Sequence, residues 1–160
     1  MSERKVRTCL WFNGRGEEAA QYYVPLIPDS HIESSNLGGS KGPPVVVELT
    51  LGGAPFMFLN GGPHYELTPA ASIAVTTRDQ AETDRLWHAL LEGGGKESMC
   101  GWLVDRFGVS WQVTPSVLPK MLAAEDRAAA DRAMKAMLKM NKIEISILEE
   151  AFRGLVKELP

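Results

Sequence analysis

Apolar positions change their period several times along the 160 residues, and each change marks an element. Val6 to Phe12 is a nearly continuous apolar run with Thr8 and two aromatic side chains, which predicts a buried strand. Asn13-Gly14-Arg15-Gly16 breaks it. Glu17 to Val24 then places Ala19, Tyr22 and Tyr23 at helical spacing, and Pro25 and Pro28 stop that helix. Three extended runs follow, His31 to Leu37, Val45 to Leu51 and Pro55 to Leu59. Gly42-Pro43-Pro44 leads into the second. Gly52-Gly53 joins the second and third as a hairpin, because glycine accepts positive φ. Asn60-Gly61-Gly62-Pro63 closes the set.

The pattern then restarts. Ser72 to Thr77 is a β-branched run. Asp79 followed by Glu82 resembles a capping box with Asp in place of Ser or Thr. The helix it opens buries Leu86, Trp87, Leu90 and Leu91, and Gly93-Gly94-Gly95 ends it. Strands are predicted near Lys96 to Met99, Trp102 to Phe107 and Ser110 to Thr114. Strand, helix and three strands therefore occur twice, over about residues 5–60 and 70–115. The repeat is one of element order, not of residue identity. Beyond it lie a short helix over Val117 to Ala123, interrupted at Pro119, and a helix over Glu125 to Met140. Ser146 with Glu149 predicts a further capping box, leading into the apolar stripe Ile147, Leu148, Ala151, Phe152 and Leu155. These helices form an extension over residues 116–160 behind a single domain of residues 1–115. Their apolar faces are covered either by their own domain or by a second subunit.

Composition narrows the function classes. With 44% apolar and 23% charged residues the chain is globular rather than disordered or fibrous. A net charge of −3 offers no basic stripe, so no nucleic-acid partner is expected. No apolar run reaches the length of a membrane helix, and no membrane partner is expected. Met1-Ser2-Glu3-Arg4-Lys5 lacks the apolar core of a secretory signal. Cys9 and Cys100 are too few for a disulfide framework. A cytoplasmic, reduced protein is the expectation.

Several motifs together resemble one family. Cys9-Leu10-Trp11-Phe12-Asn13-Gly14 followed by Glu17-Glu18-Ala19-Ala20-Gln21-Tyr22-Tyr23 is similar to the opening of the PhnB-like branch of the vicinal oxygen chelate superfamily. That superfamily includes glyoxalase I, extradiol dioxygenases and bleomycin-resistance proteins. The likeness continues through Phe56-Met57-Phe58-Leu59-Asn60-Gly61-Gly62-Pro63, Cys100-Gly101-Trp102-Leu103, Gly108-Val109-Ser110-Trp111-Gln112 and Ala136-Met137-Leu138-Lys139-Met140. Asn13 stands where the family usually has Asp, and either suits a turn. Members of the branch are often labelled demethylubiquinone methyltransferases. The resemblance implies an α+β fold of paired βαβββ modules forming a curled mixed sheet around a cavity, and a homodimer.

The resemblance also implies where a divalent metal would be held: by His and Glu on the first strand of each module and on later strands. Arg7 or Thr8, Ala70 or Ala71, Phe56 to Phe58, and Gln112 occupy those places here. None is an imidazole or carboxylate, so neither a metal nor another cofactor is expected. His31, His64 and His88 show no ligand spacing. Gly38-Gly39, Gly52-Gly53 and Gly61-Gly62 each read as turns and not as the strand-to-helix glycine turn of a nucleotide site. Cys9, Trp11, Phe58, Asn60, His64, Trp102 and Gln112 are the candidates to line a ligand cavity. For the cysteines the ordinary reading is a buried inert thiol, and for the tryptophans core packing. Side chains alternate along a strand, so if Gln112 faces the cavity, Trp111 packs toward the helix and Trp102 is the stacking residue. Asp105 and Arg106, before the Gly108 turn, read as a solvated hairpin pair. The chain is thus expected to bind an unidentified small organic molecule without metal-dependent chemistry. The alternatives are an enzyme of the same superfamily (lyase, isomerase or dioxygenase type) and an interaction or dimerisation module built on the C-terminal helices.

Overall fold

A computed structural model describes residues 4–37 and 44–155. The predicted turns at Gly38-Gly39 and Gly42-Pro43 lie outside the described residues. The chain divides into two compact units, Met1–Leu67 and Thr68–Pro160.

The first unit runs β1 (Thr8–Phe12), α1 (Gly16–Tyr23), β2 (His31–Leu37), β3 (Pro44–Leu51) and β4 (Ala54–Asn60). Its four strands form one sheet in the order β1-β4-β3-β2, with β1 parallel to β4 and the other neighbours antiparallel. Gly52 and Gly53, at φ +53° and +82°, make the tight β3–β4 turn. Two consecutive positive φ values give the turn whose twist matches antiparallel strands. Alternation sends Leu10, Phe12, Val47, Leu49, Phe56 and Phe58 to one face, all buried. There α1 covers them with Ala19, Ala20 and Tyr23, small residues letting the helix approach and Tyr23 filling the space. Phe58 is the centre of this layer, with its ring 4.8 Å from Phe12 and 6.0 Å from Tyr23.

The second unit repeats the arrangement with β5 (Ser72–Thr77), α2 (Gln80–Leu91), β6 (Lys96–Glu97), β7 (Trp102–Val104) and β8 (Ser110–Pro115). Its sheet order, β5-β8-β7-β6 with β5 parallel to β8, is the order of the first. The twofold βαβββ reading therefore stands, and the α+β fold class with it. Leu86, Trp87 and Leu90 of α2 are buried, as are Leu103, Trp111 and Val113 of the strands. Asp79 caps α2 by accepting from Glu82 N at 2.8 Å. The reciprocal half of the box shifts by one residue: Glu82 accepts from the Arg78 backbone, not from Asp79.

Three helices complete this unit: α3 (Val117–Leu122), α4 (Arg127–Met137) and α5 (Ile145–Arg153). Pro119 does not interrupt α3, because it lies in the first turn where no N–H is needed. Asp126 caps α4 through Ala129 N at 3.0 Å. The box predicted at Ser146 does not form. The helix starts two residues before the position such a box would give, at Ile145, and Gln80 of α2 supplies the cap by accepting from Ile145 N at 2.8 Å. Gln80 also donates to Ile143 O at 3.1 Å, so one side chain ties the start of α5 to α2. Cys100 N and Gly101 N donate to Met140 O and Asn141 O, both at 2.7 Å, which fixes the α4–α5 linker to the β6–β7 loop. Leu118, Met121, Ala133, Met140, Ile143 and Leu148 make a separate apolar cluster among the helices. No helix is long and apolar enough to cross a membrane among the described residues.

Candidate functional site

Each sheet has a face that its own helix does not cover, and alternation decides what stands there. On the first sheet Cys9 registers with Met57, and Trp11 with Leu59. Val46 and Glu48 of β3 share this face, since they oppose Leu59 and Met57. The half-buried apolar side chains Trp11, Val46, Met57 and Leu59 thus stand together. Trp11 is held in place: its Nε1–H donates to Gly62 O at 2.8 Å, and Tyr65 meets its ring edge-on at 4.9 Å.

Beside them lies a charged network that spans the sheet. Arg7 donates both terminal nitrogens to the Glu33 carboxylate of β2. Its Nε lies 3.5 Å from Glu48 Oε1. Thr50 donates to Glu33 Oε1 at 2.6 Å, and Ser34 donates to Glu48 Oε2 at 3.0 Å. The Arg7 bond, then that from Thr50, holds the Glu33 carboxyl down at about 2. The same bond pushes the Arg7 guanidinium further up. A carboxylate that holds its charge so firmly is a weak base, so Glu33 is suited to fixing Arg7 and not to removing a proton at neutral pH. Desolvation raises the Cys9 thiol, the reverse of what a nucleophilic cysteine requires.

The sequence candidates fall into separate groups. Cys9 and Trp11 share the uncovered face of the first sheet. Phe58 is on the opposite face, fully buried under α1. Asn60 also lies on the helix side, where it accepts from Gly16 N at 2.8 Å and donates to Pro44 O at 2.7 Å. It joins the start of α1 to two strands. His64 is exposed in the segment after β4. Trp102 and Gln112 stand opposite each other on the uncovered face of the second sheet, and Gln112 donates to Ser72 Oγ at 2.9 Å. Trp111 is buried against the helix side, as the alternation argument requires. Asp105 corrects the expectation of a solvated pair. It is buried, and it accepts from Phe107 N at 2.8 Å, Val109 N at 3.0 Å and Trp111 Nε1 at 2.9 Å. The Arg7–Glu33–Glu48 network escaped the sequence reading. Its one visible signal is Glu48, a lone acid inside the apolar run Val45 to Leu51.

The residues do not fit a divalent metal. Of the two first-strand positions, Arg7 reaches the uncovered face, and it brings a fixed positive charge. Ala70 and Ala71 carry no donor, and Gln112 offers only an uncharged amide oxygen, its N–H being donated to Ser72 Oγ. Among the described residues no three His, Cys, Asp or Glu side chains converge.

The family model described as 3-demethylubiquinone-9 3-methyltransferase matches residues 4–114. The PhnB protein of Bacillus cereus is 32% identical, over 71% of this chain and 100% of its own, with a TM-score of 0.64. The chain belongs to this PhnB-like family. A crystal structure of a Pseudomonas aeruginosa protein is 26% identical over 71% of this chain and 98% of its own, at a TM-score of 0.58. A fosfomycin resistance protein from Mesorhizobium loti shares the fold, at 16% identity and a TM-score of 0.53 over 78% of this chain and 100% of its own. No curated protein matches the chain.

The methyltransferase description of the family implies S-adenosylmethionine, and the residues do not fit it. Among the described residues, the strand-to-helix glycine turn is Gly14-Arg15-Gly16, between β1 and α1. The Gly16 N–H is taken by Asn60, and a Cβ at Gly16 would press on Asn60, Phe12 and Phe58. This glycine admits a strand, not a ligand. The next two residues, Glu17 and Glu18, place negative charge on the helix N-terminus, where the methionine carboxylate would otherwise be welcomed.

Proposed function

We propose that this protein binds a small, partly apolar organic molecule on the uncovered face of its first sheet, without metal-dependent chemistry, and does so as a homodimer. The observation that carries the reading is the composition of that face. Trp11, Val46, Met57 and Leu59 offer a half-exposed apolar floor beside an arginine already fixed by two carboxylates. Ligand sites combine an apolar lining with a few placed polar groups in this manner. Trp102 and Gln112 offer an aromatic ring and an amide on the other sheet in the same sense. Binding, not turnover, is supported by the chemistry of the titratable groups: Glu33 is too weak a base and Cys9 too weak an acid.

The test is a thermal-shift screen of untagged protein against a broad metabolite panel, with elemental analysis of the same sample. At least one compound should give saturable stabilisation that follows mass action. Trp11→Ala should weaken that response about ten-fold, the cost of one stacking contact. A panel with no saturable hit, or stoichiometric zinc, nickel or iron in the purified protein, overturns the proposal.

A further inference from the structure

An open pocket lies between α4, the residues just after it, and α5, far in sequence from the first sheet. Its volume is about 340 Å³, at the small end of ligand pockets. Ala136 and Met140 on one side and Ile147 and Ala151 on the other form an apolar hollow. Arg132, Lys135 and Lys139 line it too, and no carboxylate does. Arg132, Lys135 and Ala136 follow i, i+3, i+4 spacing on α4, and Lys139 stands in the turn just beyond its end, so the cations edge the hollow from α4 and the start of the linker.

The three cations differ in what they do. Arg132 is part of the wall: its guanidinium donates to Ala151 O at 3.0 Å and Phe152 O at 2.6 Å, closing the C-terminal end of α5. The ammonium groups of Lys135 and Lys139 have no ion-pair or hydrogen-bond partner among the described residues. Cations near the end of α4 do favour the helix dipole. The dipole does not account for the apolar hollow beneath them, where Ile147 remains 45% exposed. An apolar cavity with an unneutralised cationic edge is complementary to one kind of molecule.

We propose that this pocket binds a small amphipathic anion, with its anionic head between Lys135 and Lys139 and its alkyl body against Ala136, Met140, Ile147 and Ala151. The site is independent of the sheet face proposed above, and either can fail without the other.

The experiment titrates full-length, isotope-labelled protein with octanoate, and with octanol and octylammonium as neutral and cationic matches. Octanoate should shift amide and Met140 methyl signals of α4 and α5 saturably, at least five-fold more tightly than octanol, while octylammonium binds more weakly than either. Lys135→Glu with Lys139→Glu, both on exposed residues, should weaken octanoate about five- to ten-fold and remove its preference over octanol. Ile147→Asp, also at an exposed position, should weaken both octanoate and octanol. Equal binding of octanoate and octanol, or octanoate affinity unchanged in the double variant, overturns the proposal. So does loss of a dimer on Ile147→Asp in the absence of any octanoate, because the hollow would then be the contact between two copies of the chain.

Discussion

Gly61→Ala tests whether the first sheet's uncovered face is organised by the Trp11 ring. The backbone of Gly61 is outside the left-handed region, so an alanine there costs nothing conformationally, and the effect is steric. A Cβ at this position would overlap Cε2, Cζ2 and Cη2 of Trp11, coming within 2.5 Å of Cε2. Ordinary contact begins near 3.4 Å, so the ring must leave its place. Leaving breaks the bond from Nε1 to Gly62 O, worth about 1 kcal/mol, and the edge-on contact with Tyr65, worth about 1 kcal/mol more. The sum, about 2 kcal/mol, agrees with the usual ~1–3 kcal/mol cost of overpacking and corresponds to a drop in Tm of about 4–8 °C. Urea and thermal unfolding read the loss. The indole N–H signal of Trp11, identified from Trp11→Phe, should move toward its solvent-exposed position. The decisive comparison is the double variant. With Trp11→Ala already in place, Gly61→Ala should cost less than about 0.5 kcal/mol, giving a coupling of about 1.5 kcal/mol. Additive losses, or an unmoved Trp11 signal in Gly61→Ala, refute the reasoning.

Asp105→Asn replaces a carboxylate that accepts three N–H donors with an amide that has one oxygen, so at least one donor faces an NH₂. The loss should be about 2–4 kcal/mol in urea unfolding, and a change under about 1 kcal/mol would remove Asp105 from its place as organiser of the β7–β8 turn. The Glu33 carboxyl, held at about 2 against an ordinary 4.5, should contribute stability that is fully present above pH 4.5 and is lost as the pH falls toward 2. Carbon-13 titration of the glutamate carboxyls reads this directly: one midpoint near 2 is expected, returning toward 4.5 in Arg7→Gln, and a native midpoint near 4.5 would dissolve the network.

Much of the fold was legible from period and punctuation. β2 and β5 match their predicted bounds, and Gly52-Gly53 makes the hairpin expected of it. The opposition of Trp111 and Gln112 followed from alternation and is present in the structure. The candidate site was less legible, for a specific reason. Phe58 and Cys9 belong to neighbouring strands, and only the register of β1 on β4, with Cys9 beside Met57, places Phe58 on the opposite face. Asn60 looked like a turn residue or a ligand contact, and its bonds to Gly16 and Pro44 depend on a helix start 44 residues away and a strand 16 residues away in the chain.

Local chemistry alone determined the twofold βαβββ order, the cap at Asp79 that a polar residue at a helix start supplies, and the small number of histidines, three in all. Tertiary structure alone decided three other things. The sheet order β1-β4-β3-β2 let Arg7 reach Glu33 and Glu48 across the face. The start of α5 was set by Gln80, from another helix, and not by Ser146 beside it. The pocket between α4 and α5 arose from the packing of two helices whose faces separately read as ordinary amphipathic stripes. Propensity and capping act over one turn of chain, whereas charge pairing and cavity shape depend on which distant segments are brought within a few ångströms.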